Sequence, residues 1–177
     1  IVDLVLYCTK LYSNAEALPA IKGMIGPSTS ILTIQNGVTS GSIIAEYYGW
    51  DHVLQGATYI ESGIAGDGHI HQSGSTARIE FGEKDGSNSE RTKAIFNLLD
   101  RKGIQAVVSS NMLDALWNKM VMVGAIGTIM AASRASLPEI LSSPNGEHAI
   151  RSTMEEIVAV GQSQGITFPP RCVESKM

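Results

Sequence analysis

Cysteine is scarce in this sequence. The chain has 177 residues and two cysteines, Cys8 and Cys172, at opposite ends. No CxxC and no Cys/His metal spacing occurs, so neither a disulfide scaffold nor a metal site is expected. The two thiols read as reduced ones in a cytoplasmic protein. Basic charge is also short: 13 Lys and Arg against 17 Asp and Glu leave a net charge of −4. That balance argues against nucleic-acid and anionic-membrane partners, though it leaves room for a local cationic pocket holding a small anion. Long hydrophobic runs are missing as well. The longest uncharged apolar stretch, 120–132, has 13 residues, short of the ~18 that a membrane span needs, so a soluble protein is expected. GxGxxG, Walker, HExxH and GxSxG motifs do not occur. The absence of the first matters most, because a dinucleotide site needs backbone N–H groups at a helix N-terminus.

What is present suffices for a core. Hydrophobic residues make up 44% of the chain and charged ones 17%, a globular composition, and a chain of this length buries roughly 70% of its extended surface on folding. The chain opens at Ile1 on a strand-like apolar run and stops in the polar stretch "PPRCVESKM". No signal peptide is expected at this head, and both ends read as cut.

Along the chain, "IVDLVLYC" (1–8), "SILTIQNG" (30–37) and "HVLQGATYIES" (52–62) read as buried strands. The segments 13–26, with Ser13 or Asn14 as cap, and 40–49 read as the helices between them. This rhythm predicts βαβ units and a parallel sheet. Around Gly66-Asp67-Gly68 the texture becomes that of a hairpin, with two antiparallel strands, "HIHQS" and "TARIEFG", expected at the sheet edge. A helix over 89–103 and a last short strand, "IQAVVSS", follow. From Asn111 onward the pattern is helical: 111–135, about 137–142, then 146–165. The expected domains are therefore 1–109 and 110–177.

In open α/β sheets ligands lie at the carboxyl ends of the strands. Lys10, just past the first strand, and Asn36, ending the second, stand there. Read alone, Lys10 is a solvated loop lysine and Asn36 a turn residue accepting a left-handed backbone ahead of Gly37; their joint placement favours a site. Lys119 poses a sharper question. It lies near the start of "DALWNKMVMVGAIGTIMAAS" (114–133), a helix apolar in nearly every direction. Such a lysine either snorkels to solvent or is held where its charge is used.

These residues carry a resemblance. "DLVLYCTKLY", "TIQNGV", "GATYIESGI…GDGHIH", "IEFGE" and "ALWNKM" occur in the order and spacing of the ketopantoate reductase (2-dehydropantoate 2-reductase) family, and "MEEIVAVGQSQGI" resembles its next helix. The likeness runs from Ile1 to about residue 170. It implies the later part of a Rossmann NADP-binding sheet followed by an all-helical C-terminal domain of the 6-phosphogluconate-dehydrogenase type. By that alignment the glycine-rich phosphate loop lies outside this sequence, as does the end of the helical domain, which in the family supplies a glutamate and a serine to the site.

The implied activity is NADPH-dependent reduction of a 2-oxo acid, nominally 2-dehydropantoate to pantoate in pantothenate biosynthesis. The alternatives are a paralogue reducing a different ketone and a non-catalytic NADP(H)-binding sensor. The implied partners are a small-molecule substrate and neither nucleic acid nor membrane; self-association, if it occurs, is expected as a homodimer. Matched residue by residue, Lys119 takes the place of the catalytic lysine, Asn36 of an asparagine contacting cofactor and substrate, and Lys10 of a cofactor-contacting lysine. The chemistry suits them: hydride delivery to a ketone makes an alkoxide, which a cationic donor stabilises and protonates. The sequence also departs from the family. Four and eight residues after the lysine, pantoate-forming enzymes carry substrate-binding asparagines, where this chain has Val123 and Gly127. Two lost partners cost on the order of 1–3 kcal/mol each if the substrate groups go unpaired, so a more apolar substrate is expected.

Overall fold

The computed structural model describes residues 1–177, the side chains of Ser75 and Thr76 excepted. By its contacts the chain divides into two compact units, Ile1–Met112 and Leu113–Met177.

The first unit is a five-stranded mixed sheet in the order β1-β2-β3-β4-β5. Strands β1 (Leu4–Tyr7), β2 (Ser30–Thr33) and β3 (Val53–Gly66) run parallel, with Tyr7 beside Thr33 and Thr33 beside Gln55. Helices α1 (Asn14–Ala20) and α2 (Ser40–Tyr48) connect them, as the βαβ rhythm predicts. Alternation along the strands explains why both faces are apolar. Val5, Tyr7, Ile31 and Val53 pack under Leu18 of α1 and Ile44 of α2. Their sequence neighbours Leu32 and Leu54 point the other way and join Phe81, Ala106, Ile95 and Leu99. The last two belong to α3 (Glu90–Leu99), capped by Ser89, whose hydroxyl accepts from the Thr92 N–H.

Two expectations change. The hairpin is not a pair of short strands added at the edge. Strand β3 runs on to Gly66, Asp67-Gly68 makes the turn, and β4 (His69–Gly82) runs back antiparallel to β3, with register shifts between Tyr59 and Glu61 and between Ile64 and Gly66. Strand β5 (Ile104–Val108) then pairs parallel to β4, so β4 is interior and β5 is the edge. Because β3 does not stop near residue 62, the glycine-rich turn inverts an existing strand and starts no new sheet margin. The first helix is also shorter than 13–26. Pro19 lies inside α1 and brings no N–H, and beyond Ala20 the chain tightens into a 3₁₀ turn over Lys22–Met24. Neither expected cap acts there: Ser13 makes no capping bond, and the Asn14 side chain turns inward.

The second unit is helical: α4 (Met112–Ser133), α5 (Leu137–Ser142) and α6 (Gly146–Ser163). Its core joins Val121 and Ala125 of α4 to Ile140, Ile150 and Met154, closed by Cys172 and Val173. The unit division falls three residues past the expected one, inside the first turn of α4, because Met112 is buried against Gly82 of the sheet. Helix α4 also corrects the count of apolar residues. With 22 residues it is long and apolar enough, by length and composition, to cross a membrane. The count of 13 stopped at Lys119, and one lysine does not offset the leucines and methionines around it. Val121 and Ala125 are fully buried in the core of the second unit, while 22% of the most apolar stretch of α4 is buried within the protein.

Candidate functional site

In the first unit, the carboxyl ends of β1 and β2 lie side by side and release two loops. Lys10 follows β1 in extended backbone and is exposed. Asn36 follows β2, is also exposed, and leads through Gly37 to the first turn of α2. Gly37, and not Asn36, takes the left-handed conformation, with φ 108°. The turn therefore makes no special demand on the asparagine backbone, and that explanation of Asn36 falls away.

One buried amide joins the two loops. Gln35 Nε2 donates to the carbonyl oxygen of Thr9 at 2.7 Å and to Asn14 Oδ1 at 2.8 Å. Its Oε1 accepts from Ser40 Oγ at 2.5 Å, and Ser40 meets Thr33 Oγ1 at 2.7 Å. Tyr7 donates its hydroxyl to Asn14 Oδ1 at 3.1 Å. Tyr7, Asn14, Thr33, Gln35 and Ser40 are all buried. Sequence reasoning missed this network; its one signal was the pair Thr33 and Gln35 in the mostly apolar strand run "SILTIQ".

In the second unit, Lys119 stands in the third turn of α4. It is 9% exposed, so it does not snorkel to solvent, and burial pulls its pKa below that of an ordinary lysine. The preceding "LW" has a packing reason. Trp117 lies against α6 at Gly161, where a Cβ would meet the Trp117 ring at 3.1 Å and the Phe168 ring at 2.6 Å. That contact constrains the rotation of α4 against α6. At 3.6 residues per turn, Lys119, Val123 and Gly127 fall within an arc of about 80°. Val123 is half-buried and outside the helical core cluster. Gly127 opens on empty space, with nothing within 4 Å of where a Cβ would stand. Gly124, by contrast, is closed in by Met120 and Ile157 at 3.1 and 3.2 Å. The structure thus ties the loops of Lys10 and Asn36 together in one unit and sets Lys119, Val123 and Gly127 on one helix face in the other.

The "FGE" motif has a different use. Glu83 is buried and receives Nε and Nη2 of Arg91 at 2.6 and 2.5 Å and the Ser89 hydroxyl at 2.6 Å. Burial by itself would raise its pKa; the bonds from Arg91 and Ser89 and the guanidinium charge outweigh that and hold it below the ordinary carboxylate value. Arg91 also donates to the backbone carbonyls of Trp50 and Asp51. The motif pins the start of α3 to the sheet.

Comparison with known proteins identifies the family. Two family profiles match in order: ketopantoate reductase PanE/ApbA over residues 1–86 and ketopantoate reductase PanE/ApbA C terminal over residues 111–177. A 2-dehydropantoate 2-reductase of Streptococcus pyogenes is 28% identical over 164 residues, which is 93% of this chain and 53% of the relative. The chain thus spans about half the length of the curated relatives it matches. The crystal structure of 2-dehydropantoate 2-reductase from Methylococcus capsulatus superposes with a TM-score of 0.84 at 27% identity, covering 98% of this chain and 55% of that one. The ternary structure of D-mandelate dehydrogenase with NADH and anilino(oxo)acetate shares the fold, with a TM-score of 0.85 at 20% identity over 99% of this chain and 57% of that one. Matched by both profiles in their proper order, the chain belongs to the ketopantoate reductase family.

Proposed function

We propose that the full-length protein reduces a 2-oxo acid with NADPH, and that the group its substrate carries beyond the ketone is more apolar than that of ketopantoate. The observation that carries this reading is the face of α4: a buried lysine with a lowered pKa, then Val123, then an open Gly127.

The residues present fit part of a nicotinamide cofactor's requirements. Two exposed polar side chains, Lys10 and Asn36, stand at the carboxyl ends of adjacent parallel strands, where such sheets take their ligands. The Lys10 ammonium suits the anionic part of the cofactor, and the Asn36 amide both donates and accepts. A bound reduced nicotinamide supplies the hydride. The work of this chain is to hold and protonate. Lys119 Nζ donates to the ketone oxygen, stabilises the negative charge that develops on it, and transfers its proton to give the hydroxyl. The lowered pKa brings proton donation closer to neutral pH.

Specificity follows from the two positions beyond the lysine. A methyl-bearing Val123 and an unfilled Gly127 offer no hydrogen-bond partner to a substrate hydroxyl, and the glycine leaves volume for a larger group. The D-mandelate dehydrogenase of the same fold was solved with anilino(oxo)acetate, an oxoacetate bearing an aromatic group. The test is NADPH oxidation by the full-length protein with a panel of 2-oxo acids graded from ketopantoate to branched and aryl-bearing ones. Turnover highest with the apolar members is the expected result. Efficient turnover of ketopantoate overturns the specificity, and NADPH binding without turnover of any member makes the protein a sensor.

A further inference from the structure

Lys10 and Asn36 are exposed residues on separate loops, yet a site needs them as a pair. Between them lies the Gln35 side chain, 6% exposed. Both N–H groups of its amide are engaged, one with the Thr9 carbonyl directly ahead of Lys10 and one with Asn14 Oδ1. Its oxygen takes the hydroxyl of Ser40, the first residue of α2. We propose that Gln35 is a positioning residue that presents Lys10 and Asn36 together, bracketing the loop after β1 to the loop after β2 through one buried amide. The proposal rests on the reading of those two residues as cofactor-facing.

A loop held in its bound arrangement before the ligand arrives loses less conformational freedom on binding. Gln35 is suited to this because its donors and acceptor face different elements: two donors toward the β1 loop and α1, one acceptor toward α2. The rest of the network does not reach the β1 loop in that way. Among the described residues the Thr33 hydroxyl bonds to Ser40 and to the Gln35 backbone N–H, so it stabilises the fold without joining the loops. Asn14 serves as the anchor of the bracket, with Oδ1 shared between Tyr7 and Gln35 while Nδ2 is buried without a protein partner.

The test compares Gln35→Met with Thr33→Val in the full-length protein. Both remove a buried polar group and both lower the melting temperature. NADPH affinity is measured by titration at a temperature where circular dichroism shows each variant folded. The expected result is NADPH binding weakened about 10-fold or more in Gln35→Met and held within about twofold in Thr33→Val. Equal affinities in the two variants, or wild-type affinity in Gln35→Met, overturn the proposal. If Gln35→Met does not fold, Ser40→Ala removes the α2 contact of the amide together with the Ser40–Thr33 bond, the second of which Thr33→Val also removes; about a threefold loss of affinity beyond that of Thr33→Val supports the proposal and an affinity equal to that of Thr33→Val overturns it. Failure of the unsubstituted protein to bind NADPH removes the cofactor reading, and the Gln35 proposal with it. Intact wild-type binding beside an unaffected Gln35→Met removes the Gln35 proposal only.

Discussion

Lys119 and Gly127 stand eight residues apart on one face of α4, the lysine 9% exposed and the glycine open where its Cβ would be. At 1.5 Å per residue the separation is about 12 Å along the axis, just over two helical turns. The helix so places a proton donor at one end of a strip and unfilled volume at the other.

The first prediction concerns the donor. Lys119→Ala in the full-length protein should lower kcat by roughly 10²-fold or more, the scale of general acid catalysis, with NADPH affinity nearly unchanged. The pH profile gives a second readout. A general acid must be protonated to work, so the rate of reduction falls as pH rises through its pKa. Burial moves that pKa down, so the basic limb should lie below the ordinary lysine value of about 10.4. Oxidation of the product hydroxy acid should show the opposite limb. A loss below threefold at saturating ketone, or a limb at the unshifted value, argues that Lys119 is not the acid.

Asn36→Ala tests the strand-end site. The left-handed turn is carried by Gly37 and Asn36 is exposed, so the substitution should leave the backbone turn in place. NADPH affinity and the KM for the ketone should both worsen. A fall in melting temperature alone, with both binding constants intact, would show that Asn36 serves stability and does not face a ligand.

Much of this was legible in the sequence. Ile31 and Leu32 face opposite sides of the sheet, as do Val53 and Leu54, and such unbroken apolar runs announced strands covered on both sides. Other features were not legible. Pairing partners are set by tertiary contacts, so "TARIEFG" gave no hint that β5 would lie beside it and leave β4 interior. Asn14 looked like a helix cap because its local chemistry suits one, and a long-range bond to Gln35 drew it inward instead. Lys119 stood out by burial expected from its neighbours alone. The importance of Val123 and Gly127 came from the family resemblance, since neither residue type carries chemistry that periodicity could flag.

Glu83→Gln should destabilise the sheet unit. The substitution removes a buried carboxylate that accepts from Arg91 and Ser89, a loss of about 2 kcal/mol on the scale of hydrogen bonds to charged groups. The sign with pH is fixed by the lowered pKa of Glu83. Its contribution is fully present above the unfolded carboxylate value of about 4.3 and is lost as pH falls through the lower folded value. Urea denaturation at pH 7 and near pH 3 should show the gap between wild type and variant shrinking in acid. A gap independent of pH would mean that packing, and not charge, makes the Glu83 contribution.

The last prediction reverses the specificity. Val123→Asn and Gly127→Asn together restore the two amides that pantoate-forming enzymes place after the lysine. At Gly127 the new side chain meets nothing within 4 Å, and asparagine is no worse than glycine in a helix interior. At Val123 a half-buried residue outside the core cluster is replaced by one of similar size. The fold should therefore survive with little loss. Each restored hydrogen bond is worth about 1 kcal/mol, so kcat/KM for ketopantoate should rise roughly 10-fold or more. The same amides narrow the strip, so turnover of bulky apolar 2-oxo acids should fall. The paired rise and fall is the readout, because a general loss of activity moves both substrates down together. A double variant that stays folded and gains nothing on ketopantoate would show that this face of α4 does not line the substrate pocket.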